Sequence, residues 1–94
     1  MLIHLGHGVS VHDADMITMT DLQRDVAPDT QALLRTMRGK GLVRTLGASP
    51  KTLVICREGR KTVCYLSCVG LRTLRDRMEN SFERLTQAAR TDDL

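Results

Sequence analysis

Three histidines near the start, three cysteines in the second half and a train of arginines and lysines through the middle could do chemistry in this 94-residue chain. His4, His7 and His12, with Asp13 or Asp15 nearby, are the elements of a metal site. Residues three apart on an extended strand point to opposite faces, so His4 and His7 converge only if Gly6 and Gly8 bend the chain. Neither a Cys-x-x-Cys pair nor a His-Glu-x-x-His helix accompanies them. Ordinary strand and turn histidines account for the same letters. No metal and no cofactor is expected.

A cysteine nucleophile needs a base and surroundings that lower its pKa. Cys56 and Cys64 fall inside apolar stretches with no histidine close in sequence, and nothing assembles around Cys68. The odd number of cysteines does not form a secreted disulfide framework, and reduced thiols acting as small hydrophobes are the expectation. There is no Gly-x-x-x-x-Gly-Lys phosphate loop. The residues point away from an enzyme and from a small-molecule substrate.

The cations are left. Residues 1–30 carry five aspartates against one arginine, residues 31–77 carry eleven Lys or Arg against two acids, and residues 78–94 carry two arginines against four acids. A net charge of +3 therefore hides a basic middle between acidic ends, a distribution that can gather into a cationic patch or mix into a solvated surface. Eleven of the fourteen cations are arginine, whose planar fork suits phosphate. Arg57, Arg60 and Lys61 cluster in one turn, Arg35, Arg38, Lys40 and Arg44 around the end of a helix, and Arg72, Arg75 and Arg77 on a second helix. Such groups neutralise backbone phosphates and give salt-dependent binding. With only Tyr65 and Phe82 as aromatics, stacking on single-stranded bases is not expected.

The elements that must position these groups are organised around KTLVICREGRKTVCYLS, residues 51–67. Thr52–Cys56 and Thr62–Leu66 read as strands, with Arg57-Glu58-Gly59-Arg60-Lys61 as the turn. Both strands are apolar on both faces and so need cover on both sides. In a chain this small, the second cover is expected from another copy of the chain. Upstream, Met1–Gly6 and Val9–Val11 read as strands around a Gly6-His7-Gly8 turn, His12–Asp15 as a second turn and Met16–Leu22 as a third strand. That strand places Met16, Thr18 and Thr20 on one face and Ile17, Met19 and Asp21 on the other. Pro28-Asp29-Thr30 starts a helix capped by Asp29 or Thr30, with Leu33, Leu34 and Met37 as its apolar face. It ends near Arg38, at Gly39-Lys40-Gly41, before a strand over Leu42–Leu46. Leu71, Leu74, Met78, Phe82, Leu85 and Ala89 recur at helical spacing and predict a long helix across one face of the sheet. The result is an α+β domain with a mainly antiparallel sheet and two helices over residues 1–90, and a frayed tail at 91–94. No apolar run reaches the length of a membrane span and the N-terminus lacks a signal-peptide pattern, so a cytoplasmic protein is expected.

Placed in order, these segments resemble the Rem family of bacterial extracellular-matrix (biofilm) regulators, and most closely its RemB-type branch. The resemblance covers about residues 1–78 and rests on MLIHLGHGVSV, DMITMTDL, RGKGLVRTLG, PKTLVICREGRKTVCYLS and LRTLRDR. It implies a small α+β subunit assembled into a homo-oligomeric ring that binds double-stranded DNA through backbone contacts and regulates transcription of matrix genes. The RemA-type branch has an arginine where this chain has Asp15, and paired arginines in the loop that here reads Gly47-Ala48-Ser49-Pro50. Asp15 repels phosphate, so of those positions only Lys51, just beyond the loop, carries over. Arg44, Arg57, Arg60 and Lys61 would have to supply the remaining DNA contacts. The alternative is an oligomeric interaction or scaffolding subunit that has lost DNA binding.

Overall fold

The structure, a computed structural model, describes residues 1–80. Its elements are β1 (Leu2–Gly6), β2 (Val9–His12), a single 3-10 turn (Asp13–Asp15), β3 (Met16–Asp21), α1 (Pro28–Gly39), β4 (Val43–Leu46), β5 (Thr52–Glu58) and β6 (Lys61–Ser67). A second helix, α2, is described over 71–80. The fold is α+β, as the element order predicts. Strands β1 and β2 form a separate antiparallel hairpin, while β3, β5, β6 and β4 lie in that order in a four-stranded sheet. Pairing is antiparallel except between β4 and β6, which run parallel.

The central hairpin is longer than its sequence suggests. Its strands continue to Glu58 and resume at Lys61, so the expected five-residue turn shrinks to Gly59-Arg60. Gly59 supplies the positive φ of +63° that the first position of a tight type II′ connection requires. Arg57 and Lys61 are therefore strand residues with fixed faces. Leu53 and Ile55 pack with Met37 and Leu34 of α1, together with Cys64 and Leu66. Val54 and Cys56 pack on the other face with Val63, Tyr65, Ile3, Leu5 and Leu74.

That arrangement corrects the expectation that a second copy completes the core. Both faces of the hairpin are covered within the chain, by α1 on one side and by β1, β2 and α2 on the other. Leu53, Val54, Val63, Cys64 and Leu66 are each no more than 2% exposed. The greasy ribbon is hidden in one subunit and gives no reason of its own for copies to join.

Local chemistry accounts for the smaller differences. A bulge between Met16 and Thr18 in β3 breaks strict alternation, so that Met16 and Met19 both reach the core while Ile17 is 53% exposed. Helix α1 starts with Pro28 in its first turn, but its N-cap is Ala27 and no side chain caps it; Asp29 stands in the first turn, where its charge complements the helix dipole. The apolar face of α1 is narrower than expected, with Met37 buried, Leu34 partly buried and Leu33 exposed. Leu74 of α2 is fully buried and Leu71 and Met78 partly so, whereas Phe82, Leu85, Ala89 and the 91–94 tail lie outside the described residues. Arg77 donates to the His4 carbonyl and ties α2 to β1. No helix among the described residues is long and apolar enough to cross a membrane.

Candidate nucleic-acid interface

The five cations singled out in the sequence fall into three places. Lys51 lies just before β5, where its backbone N–H donates to the Ser67 carbonyl. Arg57, Arg60 and Lys61 lie at the opposite end of the hairpin, on the order of 20 Å away along a seven-residue strand. Lys51 and the tip therefore do not form one cluster.

At the tip, alternation decides which face each charge serves. Arg57 follows Leu53 and Ile55 on the α1 side of the sheet, opposite Thr62 on β6. Arg57 and Arg60 are exposed, and neither has a carboxylate partner among the described residues. Lys61 is exposed opposite Glu58 and helps to hold that carboxyl below its usual pKa. The chain after α1 meets the middle of β6: the Leu42 carbonyl accepts from the Cys64 N–H, and Val43 pairs with Cys64.

Arg44 is placed differently. It lies on β4 opposite Tyr65, on the face away from α1. Its guanidinium donates to both oxygens of Glu58, at 2.6 and 2.8 Å, and to the Tyr65 hydroxyl at 2.7 Å. It also sits over the Tyr65 ring, 5.5 Å from the centroid, a cation–π arrangement. The hydrogen bond from Arg44 is the main cause that lowers the Glu58 pKa, while the bond to Glu58 raises that of Arg44. Burial raises the Tyr65 pKa, partly opposed by its bond from Arg44. Arg44 is occupied internally.

Asp15 also lies at this end, beside a pocket of about 180 Å³ that His12, Cys56, Arg57, Glu58 and Tyr65 help to line. It is close enough to Cys56 to add to the effect of burial, which pushes that thiol up to about 11. The face that carries Arg44 thus holds Glu58 beside its cation, and Asp15 and Arg57 meet at the same pocket.

The other candidates separate. His4 pairs with the Ser10 hydroxyl at 3.3 Å, His12 lines the pocket, and His7 packs against Gly47. No group of three His, Cys, Asp or Glu side chains is arranged to hold a metal ion among the described residues. All three cysteines are free; Cys56 and Cys64 are buried and Cys68 is part-exposed.

Glu58 and Tyr65 are the partners of Arg44 that sequence reasoning missed. Glu58 read as one charge in a turn, because nothing local shows that a parallel β4 lies close enough for Arg44 to reach it. A scan against protein-family models gives no match, and neither does a search of curated proteins.

Proposed function

We propose that the chain is a cytoplasmic, homo-oligomeric regulator of extracellular-matrix genes that binds double-stranded DNA through backbone phosphates. The observation that carries this reading is the exposed pair Arg57 and Arg60 at the hairpin tip, joined by the exposed Lys61. Exposed guanidinium groups with no carboxylate partner release counterions when they meet phosphate, which is the source of sequence-independent affinity. The resemblance of its ordered segments to the Rem family is the support for the regulatory role. Assembly is supported by apolar surface left outside the core, with Leu2 59% and Ile17 53% exposed, and by two outer strands, β3 and β4, in the four-stranded sheet.

The second reading, an interaction subunit without DNA affinity, is favoured by two placements. Arg44 is paired with Glu58, and Asp15 stands at the same end of the sheet as the tip cations. Titration of a labelled duplex across salt separates the two readings. The regulator shows affinity that falls steeply with salt and is lost on reversing Arg57 and Arg60 to Glu; the interaction subunit shows no binding even at low salt.

A further inference from the structure

We infer that Arg44 is a phosphate site which the chain keeps closed with its own carboxylate, so that Glu58 and an incoming phosphate compete for one guanidinium held over Tyr65. This rests on the DNA-binding reading above and adds a limit on affinity built into it.

The geometry is that of a filled anion site. Two parallel N–H groups of Arg44 meet the two oxygens of Glu58, the fork-to-fork contact that guanidinium makes with carboxylate and phosphate alike. Tyr65 fixes the fork from a third direction, with its hydroxyl as acceptor and its ring beneath. Tyr65 is buried and touches both partners, since its hydroxyl also donates to Glu58 at 3.2 Å, and Glu58 is the last residue of β5, next to Gly59. Arg44 and Glu58 side chains are 48% and 50% exposed, so a phosphate can reach the pair from solvent and Glu58 can swing away without opening the core. Exposed ion pairs are weak and screened by salt, so an incoming phosphate can compete with such a carboxylate for the guanidinium. Lys61, paired opposite Glu58, and Arg60 beside it remain to balance the added charge.

The test uses the full chain with inorganic pyrophosphate, followed through the Arg44 side-chain N–H signal in proton–nitrogen NMR spectra, and then a labelled duplex. The variants are Glu58→Gln, Arg44→Gln and the double substitution, each checked for wild-type thermal unfolding. Glu58→Gln should tighten pyrophosphate at Arg44 by about tenfold, the scale of one hydrogen bond to a charged group. With duplex it should steepen the salt dependence by about one phosphate contact, about 0.9 in the log–log slope. Both gains should vanish in the double variant. An Arg44 signal in Glu58→Gln that ignores pyrophosphate overturns the inference. So does a gain that survives Arg44→Gln, since it would then come from removing a negative charge near the tip. If pyrophosphate moves Arg44 only in Glu58→Gln while no variant binds duplex, the closed site stands and the DNA-binding reading falls.

Discussion

The Arg44 guanidinium is bound to both carboxylate oxygens of Glu58, a residue 14 positions away on a strand that does not pair with its own. The two strands flank β6, and the long side chains meet across Tyr65. The contact lowers the Glu58 pKa, so its stabilising effect is present above the ordinary Glu value of about 4.3 and is lost as pH falls through the depressed folded value. A carbon-detected NMR titration should place the Glu58 midpoint below that value, and Arg44→Gln should return it to the ordinary range. A midpoint that Arg44→Gln leaves unmoved would mean that the pair does not persist in solution.

The cysteines should differ in reactivity. Burial raises both Cys56, to about 11, and Cys64, whereas Cys68 is part-exposed. At pH 8 an aromatic disulfide reagent should label one thiol of the native protein quickly, and Cys68→Ser should remove that phase. The other two should react only in denaturant. The raised values also predict that stability falls as pH climbs from about 9 towards 11, because the unfolded thiols ionise first.

How much of this was legible in the sequence follows from the range of each signal. The hairpin, the first helix and the β1–β2 turn depend on neighbours a few residues apart, and alternation, proline and glycine mark them. The bulge at Met16–Thr18 leaves no such mark, which is why alternation put Ile17 and Met19 on one face when only Met19 reaches the core. The cover of the hairpin depends on contacts between Leu53 and Met37, and between Val54 and Ile3, far apart in the chain. Without them, a strand apolar on both faces looks like an interface. The same limit hid the partners of Arg44: the residue type announced an anion contact, but a carboxylate of the chain itself fills it.

Core burial sets the scale for truncations. Leu74 is fully buried against Ile3, Leu5 and Val54, and Leu74→Ala should cost about 2–5 kcal/mol in urea unfolding. Leu33→Ala on the exposed side of α1 should fall within about 0.5 kcal/mol of wild type. Equal costs at the two positions would contradict the layer arrangement.

Two glycines provide a matched comparison. Gly41 has φ +70° with open space around a Cβ, so Gly41→Ala should cost about 1–2 kcal/mol from backbone conformation alone. Gly47 has φ +100°, and a Cβ there would lie 2.7 Å from the His7 ring, so Gly47→Ala should cost more. Adding His7→Ala should recover part of that excess. Thermal unfolding of the three variants checks the order.

The reading as a DNA-binding regulator meets its most direct test in one titration of a labelled duplex with the wild-type chain and with Arg57→Glu/Arg60→Glu at several salt concentrations. Affinity that falls linearly in log–log form with salt, and that disappears in the double variant, is the expected result. A wild-type curve that stays flat at low salt, or one that the reversed charges leave in place, would contradict it.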